Sequence, residues 1–154
     1  MENKKDIYYT ICGNGPDEDE LRKLIHEKKL EKQVQLIGFR TDMNEILQTA
    51  DVFAFPSIRE GLGIAAIEAL ACGVPLIVAD NRGTREYLHN DKNGLICDAF
   101  DRNAFVAAID KVYSNVEYRK KLADYCRESV IQFSTEETVR TMERIYSTMD
   151  KRIS

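Results

Sequence analysis

Apolar residues along the chain form two kinds of run, short continuous blocks and longer stretches at helical spacing, and the two kinds alternate. The first block, Ile7 to Cys12, is rich in β-branched and aromatic residues and stops at Gly13-Asn14-Gly15-Pro16, which predicts a strand closed by a turn. Asp17 to Lys29 follows with acids in its first turn, Leu21, Leu24 and Ile25 on one face, and basic residues near its end, as a helix dipole favours. Val34 to Ile37 is a second short strand closed by Gly38, and Asp42 is placed to cap a helix carrying Met43, Ile46 and Leu47. Val52 to Phe55 is apolar at every position, the pattern of a strand buried on both faces of a parallel sheet, and Pro56 ends it. A helix is then expected from about Gly63 to Cys72 with Gly73 at its C-cap, a strand from Pro75 to Ala79, a short helix over Gly83 to Leu88, and a last strand at Gly94 to Cys97.

Three amphipathic helices finish the chain. Asp101 caps the first, which turns Phe105, Ile109 and Val112 inward, and the second runs from about Glu117 to Ile131. Ser134-Thr135-Glu136-Glu137 is a capping box opening the third, which carries Val139, Met142, Ile145, Tyr146 and Met149 on one face. The alternation predicts an α/β class with a doubly wound, mostly parallel, Rossmann-like sheet and C-terminal helices. It also suggests a domain over 1–132 followed by an amphipathic helix over 133–154.

Composition narrows the classes open to such a fold. At 154 residues one domain is expected, and a net charge of -4, with 22 basic and 26 acidic residues spread along the length, leaves no basic stripe for nucleic acid. The N-terminus lacks the apolar core of a signal peptide, and the greasiest region, Gly61 to Ala79, is interrupted by Glu68, Gly73 and Pro75, so it does not read as a membrane span. Cys12, Cys72, Cys97 and Cys126 stand apart, each beside apolar residues, as expected of reduced core cysteines in a cytoplasmic protein.

Ligands of open α/β sheets sit outside the carboxyl ends of the strands, so the loops after the strands are the places for chemistry. Gly13-Asn14-Gly15 lets backbone N–H groups approach a phosphate at a helix start, or is simply a tight turn. The second loop, Ser57-Ile58-Arg59-Glu60-Gly61-Leu62-Gly63, opens a helix on which Glu68 is the single charge. A carboxylate buried there would cost several kcal/mol without partners. Two explanations suit it: a diol of a ligand, or a lysine or arginine from a neighbouring helix. Glu60 precedes the same helix, where it could compensate the dipole or hold a sugar hydroxyl, and Gly61 and Gly63 leave backbone amides open to an anion. Asp17-Glu18-Asp19 has the D-x-D form of a metal site but lies where helix-opening acids are expected, and His26 and His89 are isolated. A phospho-receiver module would need an acidic pair and a lysine around a strand-terminal aspartate, which Asp80 lacks.

The string from Glu60 to Glu68, continued by Ala69 to Pro75, resembles the E-x7-E signature of retaining GT-B glycosyltransferases, specifically glycosyltransferase family four. The resemblance extends over nearly the whole chain: Gly13 to Pro16, Val34 to Gly38, Ala50 to Val52 into Pro56-Ser57, Gly83 to Glu86, Asn93-Gly94 and the closing helix stand in the family order. It implies the C-terminal, donor-binding half of a GT-B fold. Its site would comprise Gly13, Gly15, Phe39, Arg40, Ser57, Glu60, Gly61, Leu62, Gly63 and Glu68. In that site Glu68 would bind the ribose hydroxyls, while Glu60 with the Gly61, Leu62 and Gly63 backbone would hold the sugar and diphosphate. The backbone at Phe39 and Arg40 would face the nucleobase. Glu60 would be the carboxylate nearest the reaction, without being assigned as nucleophile.

The resemblance further implies a nucleotide-diphosphate sugar donor, UDP-linked by expectation, with no cofactor and no metal. Family members carry an arginine- and lysine-bearing segment and an acceptor-binding domain ahead of the position of Ile7. The chain is therefore expected to be N-terminally truncated, inactive alone, and completed by that missing domain or by a separate partner chain, through which alone any membrane association would come. A non-catalytic module docking on such a chain is the other reading. Arg82 departs from the family, standing where many relatives have the first of two glycines. Without that arginine- and lysine-bearing segment the strands at Ile7 to Cys12 and Val52 to Phe55 would show bare, apolar edges, which are expected either to pair directly with each other or to need the missing segment.

Overall fold

The computed structural model describes residues 6–150, with side chains to Thr148, and divides after Met43 into two compact units. This division falls between two hydrogen-bonded ladders.

The first unit holds β1 (Tyr9–Cys12), α1 (Glu18–Glu27) and β2 (Val34–Gly38). The strands pair in parallel, Tyr9 opposite Val34 and Ile11 opposite Leu36, with a register shift before Cys12. Acids Glu18, Asp19 and Glu20 open α1, as the dipole favours, and Arg22 closes an ion pair on Glu18 at 2.6 Å. The D-x-D acids thus lie at a helix start. No described residue of this unit is fully buried, and Leu24, on the apolar face of α1, is 45% exposed.

α2 (Met43–Gln48) opens at the division, and Asp42 before it is gripped by the Arg40 guanidinium, whose Nε donates to Oδ1 at 2.8 Å. The second unit then continues through β3 (Phe53–Phe55), α3 (Ile64–Ala71), β4 (Leu76–Ala79), a 3-10 turn (Thr84–Glu86) and β5 (Gly94–Cys97). It ends with α4 (Arg102–Ser114), α5 (Val116–Ser129), a second 3-10 turn (Ile131–Phe133) and α6 (Thr135–Asp150). Its sheet has the order β3-β4-β5, all parallel, with Phe53 opposite Leu76 and Leu76 opposite Gly94.

The central strand β4 is buried at every position, because it has a partner on each edge and helices over its faces. Ile77, Leu95 and Cys97 form one cluster with Ala108, Val112 and Leu122 of α4 and α5. β3 is only half-buried, not buried on both faces as its composition suggested, since it ends the ladder of this sheet. Within their own ladders β1 and β3 are both terminal strands, as β2 and β5 are.

Local rules account for the element ends. α3 stops in a Schellman motif: Gly73, at φ +83, donates to Leu70 and Val74 donates to Ala69, each at 2.9 Å. Asp101 caps α4 through the Asn103 and Ala104 amides, and Asn115, unforeseen from the sequence, caps α5 through Tyr118. Ser134 accepts from the Glu137 amide at 3.2 Å, the expected first half of a capping box.

All four cysteines are free thiols, but the expectation of a core place fits only Cys97 and Cys126. Cys12 is exposed and Cys72 half-buried, because β1 ends its own ladder and Cys72 lies past the last turn of α3. The face of α6 bearing Val139, Met142, Ile145 and Tyr146 is exposed; the Met149 side chain lies outside the described residues. Among the described residues no helix is long and apolar enough to cross a membrane.

Candidate functional site

In the first unit the turns after β1 and β2 are tied together. The Gly13 amide donates to the Gly38 carbonyl at 2.8 Å, and the Phe39 amide donates to Asn14 Oδ1 at 3.0 Å. Gly13 is required by its backbone, at φ +121, rather than by crowding, since a Cβ at Gly13 or Gly15 would meet nothing within 4 Å. The Asn14 side chain thus consumes the Phe39 amide proton, while the Phe39 ring stands 75% exposed at the carboxyl end of β2.

In the second unit the loop after β3 is held by the turn after β4. Asn81 and Thr84 are both buried and bond reciprocally: the Asn81 amide donates to Thr84 Oγ1 at 3.2 Å and the Thr84 amide to Asn81 Oδ1 at 3.0 Å. The Asn81 side-chain amide also donates to the Ser57 carbonyl at 2.7 Å, pinning the start of the loop. Its middle rests on Gly83, where a Cβ would stand 2.9 Å from the Glu60 carbonyl oxygen and 3.0 Å from that of Gly61. Its end is Gly63, at φ +74, which caps α3 without a side chain; a Cβ there would meet the Tyr87 hydroxyl at 2.8 Å and the Phe55 ring at 2.9 Å. Two glycines thus allow a close backbone approach, and the first-turn amides of α3 have no side-chain cap.

α3 buries Ala66, Ala69 and Leu70 and turns Ile64, Ala65 and Glu68 outward. Glu68 is therefore exposed, one turn beyond Ile64, and the reading of it as a buried charge is corrected. Three small or apolar side chains suffice to cover the sheet, and the outer face of the helix is apolar only because it is built of alanine and isoleucine. No described residue pairs with the Glu68 carboxylate, so the salt bridge with a neighbouring helix is not formed. Exposure leaves that carboxylate open to a ligand beside the start of α3.

Glu60 is half-buried, also without a described partner. Tyr87 lies fully buried nearby, and its phenol is pushed up to about 12, first by burial and then by the negative charge of Glu60. At the rim, Arg85 binds Asp80 through two hydrogen bonds of 2.7 and 2.9 Å, which hold the Asp80 carboxyl below its usual range, and Arg82 is exposed.

Asn81, Thr84 and Tyr87 escaped the sequence reading. A signal for the first two existed: an asparagine and a threonine three residues apart just after a strand is the spacing of a reciprocal side-chain to backbone cap. Tyr87 had none, because one aromatic in a turn says nothing about what lies above its hydroxyl.

The family described as glycosyl transferases group 1 matches the chain over residues 1–129. EpsD of Bacillus subtilis is 36% identical over 138 residues, covering 90% of this chain and 36% of that protein. The lipopolysaccharide core biosynthesis glycosyltransferase LpsE of Rhizobium meliloti is 30% identical over 131 residues, covering 84% of this chain and 38% of its own length. The chain thus spans little more than a third of these curated relatives. Among solved structures, a TarM variant of S. aureus, crystallised with fondaparinux, alpha-GlcNAc-glycerol and UDP, superposes with a TM-score of 0.85 at 26% identity, over 94% of this chain and 30% of that one. The neighbours are GT-B glycosyltransferases, and the α/β architecture with parallel sheets and C-terminal helices is theirs.

Proposed function

The chain belongs to the group 1 glycosyl transferases, and we propose that it is the nucleotide-sugar-binding portion of a retaining enzyme that moves a sugar to a hydroxyl acceptor in polysaccharide or glycolipid synthesis. The observation that carries this reading is the loop from Ser57 to Gly63. It is pinned by Asn81 and Gly83, opens onto uncapped amides of α3, carries the unpaired carboxylate of Glu60, and is followed one turn into the helix by that of Glu68. Such an arrangement can hold a diphosphate on backbone N–H groups while each acid accepts hydrogen bonds from a diol.

Glu68, exposed and one turn into the helix, takes the ribose hydroxyls. Glu60, with the Gly61, Leu62 and Gly63 backbone, takes the sugar and the diphosphate. In the first unit, Gly13 and Gly15 serve the phosphates, and the backbone at Phe39 and Arg40 serves the base. UDP is the expected nucleotide, since the solved relative was crystallised with it beside an alpha-linked GlcNAc glycoside. Metal is not required in this reading, because the positive end of α3 and its open amides offset the diphosphate charge. Transfer itself requires an acceptor-binding half, since bringing donor and acceptor together is the larger part of the rate.

Calorimetric titration with UDP, GDP and ADP tests the reading. UDP should bind tightest, and Glu68→Ala should weaken UDP by about tenfold, the loss of a charge-assisted hydrogen bond pair. Absence of binding by all three nucleotides would leave only the fold.

A further inference from the structure

Tyr87 carries a hydroxyl that nothing in the fold requires. Its ring is fully buried and packs edge-on against Phe133 at a centroid separation of 6.3 Å, so the side chain is fixed from below. Among the described residues, its oxygen is the one buried side-chain polar atom without a hydrogen-bond partner. Phenylalanine would fill the same space without leaving a buried donor unsatisfied.

The place of that oxygen gives it meaning. It lies 2.8 Å from where a Cβ on Gly63 would stand, directly under the turn that begins α3. Glu60, three residues earlier on that turn, is half-buried and without a described partner, and it is near enough for its charge to act on the phenol. The Gly83 backbone also packs closely against Glu60 and Gly61, so the loop is held while the carboxylate is not. A donor without an acceptor and an acceptor without a donor therefore face one short turn.

We propose that Tyr87 is a positioning residue whose hydroxyl donates to the Glu60 carboxylate when a nucleotide sugar is bound, turning that carboxylate toward the sugar hydroxyls. The inference rests on the donor-site reading above and adds to it the group that orients Glu60. A phenol kept protonated far above neutral pH remains a donor under all working conditions.

The test titrates the full chain with UDP-glucose and with UDP, in wild type, Tyr87→Phe, Glu60→Ala and the double variant. Tyr87→Phe should melt at the same or a higher temperature than wild type, bind UDP unchanged, and bind UDP-glucose about five- to twentyfold more weakly. In the Glu60→Ala background, where no side-chain acceptor is left, it should cost nothing further, a coupling that simple packing would not produce. Unchanged UDP-glucose binding, an equal loss for UDP, or additive losses in the double variant would each overturn the inference while the donor-site reading stands. Wild type that binds neither ligand would remove the donor-site reading and this inference together.

Discussion

The two compact units are built from the same strand–turn–helix grammar, yet only one of them has an interior. In the second unit β4 is flanked on both edges and buried at every position, and Leu70, Leu122 and Tyr87 are sealed from solvent. In the first unit, two paired strands and one helix leave every described residue at least partly exposed. Yet Tyr-Thr-Ile-Cys and Leu-Ile-Val-Ala are both strand-forming segments. The difference lies in how many neighbours each strand acquires, and two strands are too few to close a core. Stability is therefore concentrated where Glu60 and Glu68 stand, while Gly13, Gly15 and Phe39 ride on a sheet with little packing of its own.

Truncating the interior should expose this contrast most sharply. Leu122→Ala, at a fully buried site of the second unit's core, should cost about 3 kcal/mol in urea unfolding, whereas Leu24→Ala in α1 should cost less than about 1 kcal/mol. Equal losses would show that the first unit also packs a true core. A glycine pair comes next. Gly94→Ala would drive a Cβ to within 2.4 Å of the Leu76 carbonyl oxygen across the β4–β5 ladder, and should cost about 2 kcal/mol. Gly15→Ala meets nothing within 4 Å and should stay within about 0.5 kcal/mol of wild type.

The smallest effect concerns surface charge on the well-packed unit. Asp91 accepts from Lys111 at 2.7 Å and from the Tyr118 hydroxyl, and these partners hold its carboxyl below the usual range. A depressed folded-state value means that the contribution is present above the ordinary carboxylate range and is lost as pH falls through the folded value. Asp91→Asn keeps a residue that tolerates the local φ of 61 while removing the charge. It should lower Tm by about 1–2 °C at neutral pH, and the gap should close in acid. A gap that persists in acid would mean the bond geometry matters and the charge does not.

Much of the candidate site was legible in residue types. Gly63 and Gly73 marked the two ends of α3, and both take left-handed backbone conformations; Asp101 and Ser134 cap the helices they were expected to cap. Glu68 shows where such reading fails. Its helix looked buried because its residues are apolar, but alanine is at home on a solvent face, and the carboxylate turned out to point there. Asn81 and Thr84 were missed because their importance lies in whom they bond across space, Asn81 reaching Ser57 twenty-four positions away.

The sequence alone determined the order of strands and helices, the turns between them and the family, because these depend on local backbone preferences, hydrophobic period and ordered motifs. Tertiary structure alone decided which apolar segments are buried, since burial is set by neighbours distant in sequence. It also decided that Glu68 is open to solvent, that Glu60 stands unpaired on a pinned loop, and that a tyrosine hydroxyl waits beneath that loop.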